Sequence, residues 1–327
     1  MQRAAVFISR AFLASLICLP ASIAHAAAPV ESYPTKTIRY VIPFPPGGIT
    51  DLMARTIAQR TSDAWKQSVV IDNRPGGNAL MGADLVAKSS PDGYTWLGMT
   101  ITHTVNATLF PNAPYNFSKD LTAVTVLGSL PLVTVVPQSL PVKSLAELTA
   151  LSRTRPLNGG SSGNGTPQHL AFELYRQLSG ANATHIPFKG GGPSTIALLG
   201  GHLDFITTGL PECLPHIKSG RLRALAVAGA ARLPPIAEIP TTAELGMPAL
   251  AITSWTGLMV PAATPKHIVA RINADVVNVL KQPDVAERVR EQGFDVVAST
   301  PADAQAFMAA EVARWGKLVR DANIKAD

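Results

Sequence analysis

Ser161 lies in Gly159-Gly160-Ser161-Ser162-Gly163, a G-x-S-x-G pattern, and Asp204 and His216 follow it in the order of a hydrolase triad. Such a serine is a nucleophile when it caps a strand and leads straight into a helix. Arg153–Asn158 does not read as a strand, and the next helix starts only after Thr166-Pro167. The expectation is therefore a polar loop offering hydroxyl and N–H groups to an anion. A secreted serine hydrolase using Ser161 is the alternative. A second stretch, Pro43-Phe44-Pro45-Pro46-Gly47-Gly48-Ile49-Thr50-Asp51, follows the apolar run Ile38–Ile42. Its prolines end the strand, and Gly47 and Gly48 allow close backbone approach or positive φ. Thr50 or Asp51 can cap the helix Leu52–Ala64, whose free N–H groups and dipole then form an anion seat. The loop lacks the lysine of a P-loop and any G-x-G-x-x-G, which argues against a nucleotide site.

Other polar residues carry two readings each. Asp51 is a helix-start residue or an acceptor for a ligand amine. Lys189, ahead of Gly190-Gly191-Gly192, pairs with an anion or is simply solvated. Asp204 holds the cleft or caps a loop. His169, one turn after Thr166, orients the Ser161–Thr166 loop or merely packs. His103, His169, His185, His202, His216 and His267 form no H-x-x-x-H pair and none sits at ligand spacing from a cysteine, so neither a metal nor any cofactor is expected. Trp315, with Phe307, Val312 and Val319, reads as core, and Trp255 as a packing or hinge residue.

These residues need strands and helices to hold them. Strand-like and helix-like segments alternate through the chain, which argues α/β with mainly parallel sheets and helices on both faces. The strand candidates are Ile38–Ile42, Val69–Ile71, Thr95–Met99, Val124–Leu127, Leu132–Val136, His185–Pro187, Phe205–Thr208 and Leu222–Val227. Thr166 with proline at the first helical position opens a helix carrying Leu170, Leu174 and Leu178. Glycine-rich turns recur at strand-to-helix junctions, where ligands bind in open α/β sheets.

The N-terminus carries Arg3 and Arg10, the apolar Ala11–Leu19 and then Ala24-His25-Ala26, which together read as a cleaved signal peptide over residues 1–26. Ala11–Leu19 is too short to span a bilayer. Cys18 sits within it behind Ile17, unlike a lipoprotein site. One cysteine, Cys213, then remains, so no intrachain disulfide can form, and Cys213 is expected to be a small buried residue. Losing two arginines and no acids lowers the formal charge from +6 to +4. Basic residues are scattered, so nucleic acid is not an expected partner.

The chain resembles the Bug (TctC-type) solute receptors of tripartite tricarboxylate transporters. The resemblance rests on Pro34-x-Lys36-x-Ile38, the Pro43–Asp51 loop, Asn73-Arg74-Pro75-Gly76 and Pro91-Asp92-Gly93-Tyr94-Thr95. It continues through Leu199-Gly200-Gly201-x-x-Asp204, Pro240-Thr241-x-x-Glu244-x-Gly246, Trp255-x-Gly257-Leu258, Pro261-x-x-Thr264-Pro265 and Gln292-Gly293-Phe294. It implies a two-domain periplasmic-binding-protein fold of the Venus-flytrap, type II-like kind, with the ligand in the interdomain cleft. Residues 27–129 plus 252–327 would form domain 1 and 130–251 domain 2, with crossings near Gly128–Pro131 and Ala251–Trp255. Ile49 stands where a small or hydroxylated residue is frequent, and Ala79 where glycine is common. Thr100-Ile101-Thr102-His103 is a variable segment that could reach the cleft.

The expected function is capture of a small organic carboxylate in the periplasm and its delivery, by a monomer, to two integral-membrane transporter subunits. A sensor for a membrane signalling protein is the further alternative. The expected ligand-binding residues are Phe44, Gly47, Gly48, Ile49, Asp51, Thr102, Ser161, Gly163, Gly165, Thr166, Lys189, Asp204 and Thr207. Which carboxylate is bound, whether di-, tricarboxylate, amino acid or aromatic acid, is open at this point.

Overall fold

A computed structural model describes residues 33–321 and 324–325; the expected signal peptide lies outside the described residues. The first part of the chain contains β1 (Ile38–Ile42), α1 (Ile49–Trp65), β2 (Val69–Asn73), α2 (Leu80–Ala87), β3 (Thr95–Thr100), α3 (Ile101–Leu109), α4 (Phe117–Asp120) and β4 (Leu121–Pro137). Then follow α5 (Leu145–Thr154), β5 (Leu157–Ser161), α6 (Pro167–Ser179), β6 (Ala183–Pro187), α7 (Gly191–Leu199), β7 (Phe205–Gly209), α8 (Leu210–Lys218) and β8 (Leu222–Ala228). The last part supplies β9 (Thr253–Pro261), α9 (Lys266–Leu280), α10 (Pro283–Glu291), β10 (Asp295–Val296) and α11 (Pro301–Asp321).

Two sheets share one long strand. The strand order is β2-β1-β3-β9-β4-β7-β5-β6, with β8 and β10 also pairing with β4. Pairs β1–β2, β1–β3, β5–β6 and β5–β7 are parallel, while β4 and β9 run antiparallel to their neighbours. β4 pairs with β9 as far as Pro131 and with β7 and β8 from Leu132 onward. The sequence suggests two strands with a bend at Gly128–Pro131, but β4 is continuous there. Proline can sit in it because its missing N–H falls where the pairing changes partners.

Each half has its own core. Tyr40, Trp96, Met53 and Ile57 pack with Ile272, Val276 and Trp315, so α9 and α11 close over the first sheet. In the second half, Leu198, Leu210 and Cys213 fill one side of the sheet, and Leu148, Phe172, Tyr175 and Phe205 the other. Cys213 is a buried hydrophobe as expected, and burial pushes its thiol far above the ordinary range. Leu170 is buried on α6, whereas Leu178, at the end of that helix, is exposed.

Another sequence expectation fails as well. Leu157-Asn158-Gly159-Gly160-Ser161 is the strand β5, although it lacks β-branched residues. Pairing on both sides, with β6 and β7, makes the strand where local propensity is weak. The glycines leave room for neighbours: a Cβ on Gly159 would lie 2.4 Å from Phe172 Cε2, and one on Gly160 2.4 Å from Leu203 Cδ1.

Candidate functional site: a cleft ringed by helix starts

Five helices of at least eight residues begin at the carboxyl ends of strands around one cleft. Their N-caps are Gly48 for α1, Thr100 for α3, Thr166 for α6, Gly190 for α7 and Gly209 for α8. The cleft has an empty volume of about 470 Å³, its open mouth included. Phe44, Pro45, Gly48–Thr50, Thr100 and Thr102 line one wall, and Ser162, Thr166–Gln168, Gly190–Pro193 and Glu212 the other. The N-terminal ends of helix dipoles therefore face a common space, which favours negative charge. An outer chamber adjoins it past Phe44 and Gly190, lined by Gly76–Asn78, Gly163, Asn164 and Lys189.

The first loop is held from behind by Asp51. The helix starts at Ile49, capped by Gly48, so neither Thr50 nor Asp51 is the N-cap. Asp51 is instead the third helical residue, 1% exposed, and its carboxylate reaches back. Oδ2 accepts from Gly47 N at 2.9 Å and Arg55 Nε at 2.8 Å, and Oδ1 from Asn73 Nδ2 at 2.9 Å. Asn73 also donates to the Phe44 carbonyl at 3.0 Å. Burial alone would raise the Asp51 carboxyl, but donors from Arg55, Gly47 and Asn73 outweigh it and hold it below the ordinary range. Both Gly47 and Asp51 thus serve the loop and do not line the cleft.

The second loop is wired internally as well. Thr166 Oγ1 accepts from His169 N at 3.3 Å and donates to the Gly163 carbonyl at 2.7 Å. His169 Nδ1 accepts from Gly165 N at 3.0 Å, so this histidine orients the loop. Gly165, with φ of 68°, packs against Val105 and Leu109. Ser161 is 1% exposed; its Oγ donates to the Gly163 carbonyl at 3.2 Å and accepts from Gly163 N at 3.1 Å. It also lies 2.7 Å from His185 Nε2, and His185 stacks on His169 with ring centroids 3.9 Å apart. Ser161 therefore stands behind the cleft wall, and Ser162 and Gly163 are the residues that reach its surface.

Two expected site residues are elsewhere. Asp204 lies at the amino-terminal end of β7, where Arg155 Nη2 donates to it at 2.6 Å and Asn158 N at 2.7 Å. Thr207 is 4% exposed and shares a hydrogen bond of 3.0 Å with Thr134 across the β4–β7 pair. Strand alternation turns Thr208, the next residue, toward the other face. His216 is remote too, bonded to Arg221, so no Ser161–Asp204–His216 triad forms. Phe44, Gly48, Ile49, Thr102 and Thr166 line the inner cleft, and Gly163 and exposed Lys189 its mouth.

Thr102 comes from a helix the sequence reading left out. Thr100 ends β3 and caps α3, accepting from Thr102 N at 3.2 Å. His103 closes that cap: its Nδ1 lies 3.2 Å from Thr100 N, and burial pushes its ring down to about 4. His103 is therefore neutral and structural. Thr102 is 0% exposed and its Oγ1 has no hydrogen-bond partner, and Ser162 Oγ on the facing wall shares that condition.

Glu212, absent from the residues expected from sequence, also lines the cleft. It is the third residue of α8. Its Oε2 accepts from the Thr208 hydroxyl and, at 3.3 Å, from Gly209 N. Across the cleft the Ile49 N–H at the head of α1 also favours its charged form. The signal was present: Gly209-x-x-Glu212 after a strand is a capping-box spacing. What the spacing hides is that this carboxylate reaches a second helix. The Ile49 side chain follows the same path and packs on Gly209, where a Cβ would lie 2.5 Å from Ile49 Cδ1.

The chain has relatives in sequence and in fold. The profile of the tripartite tricarboxylate transporter family receptor matches residues 53–324. The chain belongs to that family. Protein BugT of Bordetella pertussis is 37% identical over 96% of this chain and 98% of its own length. Rpa4515 of R. palustris, solved with adipate, is 36% identical, covers 90% of this receptor and 99% of itself, and superposes with a TM-score of 0.86. MatC (Rpa3494) from Rhodopseudomonas palustris, with bound malate, is 31% identical, with 88% and 100% covered and a TM-score of 0.82. The receptor thus has the periplasmic-binding-protein fold expected for it. Among its described residues no helix is long and apolar enough to cross a membrane, and no group of three or more His, Cys, Asp or Glu is placed to hold a metal.

Proposed function

We propose that this receptor captures a small organic carboxylate between its two halves and hands it to two integral-membrane subunits of a tripartite tricarboxylate-type transporter. The observation that carries this reading is the convergence of helix N-termini on one cleft, with the buried Thr102 hydroxyl left without a partner there. Charge-assisted bonds from N–H groups and hydroxyls are each modest in net terms, and several together reach the roughly −8 kcal/mol of a micromolar receptor. The carboxylates bound by two relatives support the class of ligand. In this reading the signal peptide is removed, the mature protein works as a periplasmic monomer, and no cofactor is involved. Residues 27–129 with 252–327, and 130–251, act as the two domains. The change of sheet partners at Pro131–Leu132, with the return near Thr253, serves as the hinge.

The Ser161–His185 contact and the place of Ser161 at the end of β5 are the observations that favour hydrolysis. A nucleophile must meet its substrate, and Ser161 is covered and bonded at Gly163. We therefore assign the contact to loop positioning.

The decisive experiment is a thermal-shift screen of a carboxylate library on protein unfolded and refolded to remove co-purified ligand. A binder at 100 times its Kd adds ~2.7 kcal/mol. A library without a single stabilising carboxylate would refute the proposal.

A further inference from the structure

In the inner cleft the only charged side chain among the lining residues is an acid. Glu212 lies where helix starts converge, taking the N–H of Gly209 at the head of α8 and favoured in its charged form by the Ile49 N–H at the head of α1. Its Oε1 points at the head of α7, since a Cβ on Gly191 would lie 2.0 Å from it, so Gly191 has no room for a side chain while that carboxylate is there. The seats on these helices that suit an anion are already filled by the protein's own carboxylate. A Cβ on Gly48 would stand 3.7 Å from the same oxygen, an ordinary contact, so Glu212 also borders the first loop. What the cleft still offers a ligand carboxylate is the other set of groups: the unpartnered hydroxyls of Thr102 and Ser162 and the starts of α3 and α6.

We propose that Glu212 determines specificity, disfavouring a second carboxylate and selecting a carboxylate whose far end carries a hydrogen-bond donor, an ammonium group above all. This rests on the carboxylate-receptor reading and narrows it. A second anion beside Glu212 would meet like charge in a site of reduced dielectric, whereas a cation there is attracted. Burial pushes the Glu212 carboxyl above the ordinary range despite donors from Thr208 and Gly209. A cationic ligand group would restore the balance that burial has disturbed. The two relatives with bound adipate and malate carry dicarboxylates, so the inference separates this chain from them in ligand choice.

The test compares ligands of equal length by calorimetry on refolded protein: 4-aminobutanoate against succinate, and 6-aminohexanoate against adipate. In the wild type the amino acid of at least one pair binds tenfold or more tightly than its dicarboxylate. In Glu212→Gln, which keeps an acceptor for Gly209, that preference falls at least tenfold or inverts. A role confined to capping α8 would lower the unfolding midpoint and leave the ratio unchanged. A wild-type preference for the dicarboxylates, an unchanged ratio in Glu212→Gln, or no binding of any of the four by either protein would each overturn the inference. Should the variant not fold, the wild-type ratio alone decides. The library screen is independent of these four compounds, so a hit there keeps the carboxylate reading when the Glu212 inference fails.

Discussion

Replacing Asp51 by alanine tests whether the first cleft loop is organised from behind. The substitution removes the acceptor of Gly47 N–H and of Asn73 Nδ2, and the ion pair with Arg55. Hydrogen bonds to a charged acceptor contribute about 1.5–3 kcal/mol each. Gly47 is exposed and its N–H can rehydrate, so the lower end applies to it. The Arg55 side chain is half exposed, so its ion pair adds little. Together these give a loss of about 3–4.5 kcal/mol. Asp51→Asn keeps one acceptor and should lose roughly half as much. Urea unfolding can follow this, because all four tryptophans, Trp65, Trp96, Trp255 and Trp315, lie in the half of the molecule that contains Asp51. The Asp51 carboxyl is held below its ordinary range in the folded protein, so its stabilising effect is complete above the unfolded value of about 3.9 and fades as pH falls below it. The wild-type advantage over Asp51→Ala should be constant from about pH 7 to 5 and shrink below about 4. Carboxylate affinity should fall about tenfold or more as the loop loses its pre-organised shape. A stability change under about 0.5 kcal/mol together with unchanged affinity would refute the argument.

Two further substitutions probe the walls. Thr102→Val removes a buried hydroxyl that has no partner, so unfolding stability should hold or rise by up to about 1 kcal/mol. Carboxylate affinity measured by calorimetry should fall about five- to tenfold, and equal affinity would place the ligand away from α3. The covered Ser161 should leave the pure protein unlabelled by a fluorophosphonate probe; stoichiometric labelling lost in both Ser161→Ala and His185→Ala would revive the hydrolase alternative.

Much of this receptor is determined locally, and those parts are legible in the chain. The run Ile38–Ile42 followed by prolines and glycines specifies strand, stop and helix start within a dozen residues. Thr166-Pro167 specifies a helix cap, and the ordered series of motifs identifies the family. Tertiary structure decided what depends on partners far along the chain. Two glycines in β5 give no strand signal, and only neighbours on both sides supply the pairing. A run holding Gly128 and Pro131 suggests a break, yet β4 runs on through it, with a register shift at Val126–Gly128, and changes sheet partners beyond Pro131. Asp51 and Asp204 are acids of the same type, and each is claimed by nearby donors outside the cleft. Glu212 has the spacing of a routine helix cap, and the fold turns it toward the first loop 163 positions away. Spacing along a helix or strand constrains which face a residue takes. It carries no information about what the opposite wall presents, because that wall is built from a separate stretch of chain.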